Sequence, residues 1–137
     1  MAMAEALAKT KLKNVKMGSK DAIDSFFSEI ITEDESLLCS KFRRSVASAS
    51  GSQFRFKSII NILYQVRNDT VHGTKFWEFH LADEKDVEEG MTLMTWGYLG
   101  PRGRKRKEIV ELTLTFQDLV DIFVRTGLEN IHSVLKK

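Results

Sequence analysis

The chain has 137 residues, 42% hydrophobic and 29% charged, which suits one compact domain whose core needs neither disulfides nor a structural metal. Its 21 basic residues are nearly balanced by 19 acidic ones, so the net charge of +2 does not mark a nucleic-acid binder, and only clustered charge could act on a polyanion. A single cysteine, Cys39, excludes an internal disulfide framework and any multi-thiolate site, and it suits a reducing compartment. With no apolar run long enough for a bilayer and no secretory leader at the N-terminus, a cytoplasmic protein with no membrane partner is expected.

Residues 1–17 alternate Ala, Lys and scattered apolar positions, the pattern of a short helix or a mobile basic arm. From Lys20, the spacing of Ile23, Phe26, Phe27, Ile30 and Ile31 predicts one apolar helix face, with Ser19 as its cap. Thr32 to Glu35 has the form of a capping box, predicting a second helix with Leu38, Phe42 and Val46 on its buried side. Ser45 to Ser52, rich in Ser, Ala and Gly, reads as that helix's frayed end and a loop. Phe56, Ile59, Ile60 and Leu63 mark a third helix, from about Gln53 to Val66, apolar enough to be the central core element.

After Gly73 the period becomes strand-like over Thr74 to Leu81, Met91 to Leu99 and Ile109 to Thr115. The acidic run Asp83 to Glu89 separates the first two strands. The last two are joined by a Gly-rich, Pro-containing and strongly basic tip carrying Arg102, Arg104, Lys105, Arg106 and Lys107. A final helix should open at Thr115 or Phe116 with Asp118 in its first turn. Its apolar stripe, Val120, Phe123, Val124, Leu128, Ile131 and Leu135, contains Gly127, which would admit a close neighbour or merely weaken the helix.

The segment Gln65 to Gly73 carries the clearest chemistry. If the third helix continues, Arg67 falls four residues past Leu63 and seven past Ile60, on the face those residues use for packing, where a cation needs a partner or a task. Gly73 can adopt a positive φ and end the segment, leaving Asn68 to His72 as the last turn or the loop beyond. Arg67 directly followed by Asn68, then His72 directly followed by Gly73, resembles the Arg-Asn-Asp-x-x-His-Gly form of many HEPN domains (higher eukaryotes and prokaryotes nucleotide-binding), a family with many RNA-cutting members.

That resemblance implies a mainly α (α+β) fold: a HEPN-like helical bundle spanning 1–137 as one domain. An antiparallel β-hairpin or three-stranded sheet would be inserted at 74–115, before the C-terminal helix. It also implies a homodimer in which Arg67 and His72 of two protomers form a composite site with RNA as substrate, and Asn68 and Asp69 give polar support. Toxin or defence biology, with an antitoxin or regulatory protein as a further partner, belongs to the same implication.

The residue types fit metal-independent RNA cleavage on their own terms. A histidine, with an unperturbed pKa near ~6.5, can accept the ribose 2′-hydroxyl proton or protonate the leaving 5′-oxygen. Arg67 stays charged, and its planar fork can grip two oxygens of the phosphorane. No cofactor is expected. His80 and His132 have no Cys, His or carboxylate at a recognised ligand spacing, so no metal is expected either.

The structural alternative has Arg67 capping helix-end carbonyls or pairing with Asp69, and His72 as a hydrogen-bonded turn residue. The rival function is a non-catalytic nucleic-acid-binding or assembly module in which the basic tip tracks a phosphate backbone. That tip could equally be a solubilising hairpin end. Trp77, Trp96 and Tyr98 could stack on bases or serve as cross-strand packing.

Overall fold

Four phenylalanine rings join three helices that are far apart in the chain. The computed structural model describes residues 4, 18–45, 53–73, 77–99 and 106–136, and for residues 72, 77, 78, 99 and 106 the backbone alone. The rings belong to α1 (Ser19–Phe27), α3 (Phe56–His72) and α5 (Phe116–Leu135). Phe27 meets Phe26 at 5.1 Å and Phe123 at 5.6 Å edge-on, Phe26 stacks on Phe123 at 5.9 Å, and Phe56 closes on Phe27 at 6.4 Å. Such geometry adds to the apolar burial of Phe26 and Phe27.

The apolar spacing of α1 buries Ala22, Ile23, Phe26 and Phe27, but its N-cap is Gly18 and Ser19 is already helical. The helix ends at Phe27, so Ile30 and Ile31 lie beyond it. Ile31 is the N-cap of α2 (Thr32–Lys41) with no side-chain cap bond, and the capping box expected at Thr32 and Glu35 does not form. A carboxylate from that first turn does other work. Asp34 is 3% exposed and takes two 2.8 Å hydrogen bonds from the Arg125 guanidinium of α5.

Phe42 was expected on the buried side of the second helix; it lies instead in β1 (Phe42–Arg44), and Val46 lies outside the described residues. Phe42 is buried by facing Leu112 across a strand pair, a tertiary partner that local spacing cannot announce. The three strands expected after the central helix are present as β2 (Trp77–Glu78), β3 (Leu93–Leu99) and β4 (Arg106–Leu112), each with different bounds, and β1 makes a fourth. All pair antiparallel in the order β1-β4-β3-β2, so the sheet is not confined to the segment 74–115. The molecule is therefore mainly helical with a small antiparallel sheet.

Alternation sorts the sheet's faces. Phe42, Thr95, Gly97, Glu108, Val110 and Leu112 are buried, whereas Met94, Tyr98 and Lys107 are exposed on the other side. Buried Glu108 meets Arg44 Nε at 3.6 Å, and the Arg44 guanidinium lies 4.6 Å from the centroid of the Phe54 ring. The acidic run between β2 and β3 folds as a short helix, α4 (Glu84–Glu88), whose cap Asp83 accepts from Lys85 N at 3.0 Å.

α5 begins as its sequence predicts. Thr115 is the N-cap, accepting from Asp118 N at 3.0 Å, while Asp118 Oδ2 accepts from Thr115 N at 3.2 Å, a complete capping box. Thr115→Ala should therefore cost about 1 kcal/mol and lower Tm by roughly 4 °C. A Tm shift below one degree in differential scanning calorimetry would contradict the role of this box.

Candidate functional site

The site grows from α3, which starts at Phe56 rather than Gln53 and runs six residues past the predicted end at Val66. Ile59, Ile60, Ile62 and Leu63 are buried, anchoring the helix against α1, α2 and β2, so it is the central element that its hydrophobicity suggested. The continuing helix carries Arg67, Asn68 and Asp69, all half-buried, through its final turns. Thr70 Oγ1 donates back to Val66 O at 3.0 Å, as hydroxyls do within a helix. Gly73 then takes φ 66°, the left-handed C-cap expected of it, which a side chain would strain.

Arg67 Nη1 donates to Asn68 Oδ1 at 3.0 Å, which restrains the guanidinium. Leu63 and Arg67 share one helix face, as the spacing four predicts. Both line an open groove of about 370 Å³ whose other walls include Val66, Val71, Phe79, Leu119 and Phe123. Arg67 is the only charged side chain among the described wall residues. Apart from Thr70 the other described walls are apolar, and a half-buried cation among them acts through a lower dielectric than one in bulk water, so its pull on an anion is stronger. The groove is wide enough for a planar ring or an apolar side chain beside that charge.

His72 occupies the last helical position, and its side chain lies outside the described residues. Positions 67 and 72 are five apart, about 140° around an α-helix axis, whereas 67 and 71 share a face. One copy of the helix therefore does not stack the two motif positions on a single stripe. Phe79, Leu119 and Phe123 were not foreseen as groove walls. Their only sequence signal is the four-residue spacing of Leu119 and Phe123, which reads simply as helix packing.

Of the basic tip, residues 102, 104 and 105 lie outside the described residues, and Arg106 is described by its backbone as the first residue of β4. Lys107 is exposed on the outer face of the sheet, with Nζ 4.8 Å from the centroid of the Trp96 ring, which meets Tyr98 edge-on at 6.2 Å. Trp77 is described by its backbone alone. His80 and His132 are exposed, and no cluster of His, Cys, Asp and Glu fit for a metal occurs among the described residues. No described helix is long and apolar enough to cross a membrane.

Cys39 is half-buried in α2, one turn after Glu35. Burial, and secondly the Glu35 charge, push its thiol above the ordinary value. Less thiolate at neutral pH means slower alkylation. Iodoacetamide should modify Cys39 several-fold more slowly in the folded protein than after denaturation at the same pH; equal rates would contradict this environment. Comparison with protein-family models, curated proteins and solved structures gave no match.

Proposed function

We propose that this protein is a metal-independent endoribonuclease of the HEPN type, acting as a homodimer, with the segment 74–115 as a β-rich insertion in the helical bundle. The observation that carries this reading is Arg67, restrained by Asn68 in the last turns of the central helix and facing an open groove, within the sequence Arg67 to Gly73 that resembles the family motif.

In the proposed reaction the imidazole of one His72 takes the proton from a ribose 2′-hydroxyl, whose oxygen attacks the adjacent phosphorus. The P–O5′ bond breaks, and the second copy's imidazolium returns a proton to the departing oxygen. The products are a 2′,3′-cyclic phosphate and a free 5′-hydroxyl. Arg67 grips the phosphorane oxygens as charge develops on them. The divergence of positions 67 and 72 around one helix supports a site completed by a second copy. A toxin or defence role, restrained by an antitoxin or regulatory protein, belongs to the same proposal.

The test is incubation of labelled single-stranded RNA with purified protein in excess chelator, beside Arg67→Ala and His72→Ala variants that retain the wild-type circular dichroism. Cleavage by wild type alone supports the nuclease. A second reading, an RNA-binding module without catalysis, is favoured by the exposed sheet face where Lys107, Trp96 and Tyr98 meet. RNA bound but left intact, with binding lost when the tip charges and Lys107 are removed, would select it.

A further inference from the structure

The groove beside Arg67 is built on parts that the core already holds in place. Val66, Arg67, Thr70 and Val71 follow Leu63 at spacings of three, four, seven and eight, so all five lie on one face of α3, and Phe79, Leu119 and Phe123 complete the walls. Phe79 stacks on Phe42 at 6.3 Å, while Phe123 meets Phe26 at 5.9 Å and Phe27 at 5.6 Å, so both aromatic walls are fixed by buried rings. The groove is therefore formed before any ligand arrives. Val71, 59% exposed, stands at its rim. Val120, Val124, Leu128, Ile131 and Leu135, expected as the packing stripe of α5, are exposed and take no part in these walls.

We infer that this groove binds a small apolar monocarboxylate, with its two oxygens on the Arg67 guanidinium and its hydrocarbon body along the walls. Volume sets the size. At the ~30 Å³ that one water occupies in the liquid, 370 Å³ corresponds to roughly a dozen waters, and so to an acid of about a dozen heavy atoms.

Charge sets the head group. The described walls offer one cation, which balances one negative charge, and the planar fork of a guanidinium matches the two oxygens of a carboxylate. A guanidinium has five donors, so the bond to Asn68 Oδ1 and a carboxylate pair are compatible. A phosphate monoester would bring nearly two negative charges among apolar walls with one cation to meet them. Polarity sets the body. Among the described walls only Arg67 and Thr70 carry polar side-chain atoms, and Thr70 Oγ1 already donates to Val66 O at 3.0 Å. A nucleobase or ribose laid along the groove would leave its donors without partners, whereas a hydrocarbon gives up only water. The site stands whether or not the nuclease reading does; where both hold, acid and RNA phosphate compete for one guanidinium and the acid inhibits cleavage.

Isothermal titration calorimetry with cinnamate, cinnamamide and cinnamyl phosphate compares one planar body carrying one, no and nearly two negative charges. Cinnamate should bind saturably and about tenfold more tightly than either of the others. Arg67→Met keeps a good helix former and should abolish the preference for acid over amide. Val71→Asp changes an exposed position, so it should retain the wild-type circular dichroism yet weaken cinnamate more than cinnamamide. Methyl shifts on adding cinnamate should centre on Val66, Val71 and Leu119. Absence of saturable binding, equal affinity for acid and amide in the wild type, tighter binding of the phosphate, or shifts centred elsewhere would overturn the inference. RNA cleavage is scored separately: protein that binds cinnamate and leaves RNA intact keeps this site and removes the nuclease, and protein that cuts RNA without binding cinnamate does the reverse.

Discussion

Arg67→Ala is expected to slow RNA cleavage by about three orders of magnitude while leaving the fold intact, the size of loss seen when one preorganised transition-state donor is removed. The guanidinium would act where charge grows on the phosphorane, so the loss should fall on kcat more than on KM. Arg67→Lys keeps the charge but loses the planar fork, and an intermediate rate is expected. Asn68→Ala removes the 3.0 Å hydrogen bond that restrains Nη1 and should cost roughly tenfold, a positioning loss that Asn68→Ser would partly restore. Single-turnover assays on labelled RNA, run across a range of enzyme concentrations, measure all four variants. If Arg67→Ala cleaved at the wild-type rate, the guanidinium would have no part in the chemistry and the composite site would be abandoned.

Asn130→Asp should destabilise the fold by about 4 kcal/mol at neutral pH and lower Tm by roughly 15 °C, although the two side chains have the same shape. Asn130 is fully buried in α5, and its Nδ2 donates to Phe26 O at 2.9 Å and to Thr126 O at 2.8 Å. A carboxylate there would set negative oxygen against two carbonyl oxygens with no water to screen them. The introduced carboxyl favours its neutral form in the folded state, so its folded pKa is raised above the unfolded value. The deficit is then largest at neutral pH and shrinks as pH falls toward the unfolded value near ~4. Asn130→Ala, which loses the donors without adding charge, should cost about half as much. Thermal melts at two pH values decide the matter, and equal Tm losses for both variants at neutral pH would mean that the two carbonyls do not control this position.

Legibility in the sequence followed the range of the forces involved. The apolar face of α1 as far as Phe27, the opening of α5 with Asp118 in its first turn, and the left-handed Gly73 are set by neighbours within a few residues, and each is where its local pattern places it. β1 is the opposite case. Leu38, Phe42 and Val46 repeat at helical spacing, yet Phe42 is drawn into a strand by Leu112, a partner visible only once the sheet is assembled. The Asp34–Arg125 pair spans 91 residues and has no local signature. The α5 stripe was legible as apolar but not as uncovered, because periodicity reports which residues avoid water and not what covers them. At the candidate site the order Arg67, Asn68, His72, Gly73 was readable, and so was the placing of Arg67 on the Leu63 face. The groove was not, since Phe79, Leu119 and Phe123 reach it from two other segments.

Two hydrogen bonds tie α1 and the turn just after it to α5. Phe26 O receives Asn130 Nδ2 from 104 residues downstream, and Glu29 Oε1 receives Ser133 Oγ across the same interval. During synthesis on the ribosome the aromatic pair of α1 therefore waits, without the Phe123 ring, until α5 has emerged. Long-range closure of this kind slows folding, and the nascent chain stays open to chaperones and to its own neighbours on the same message until α5 arrives.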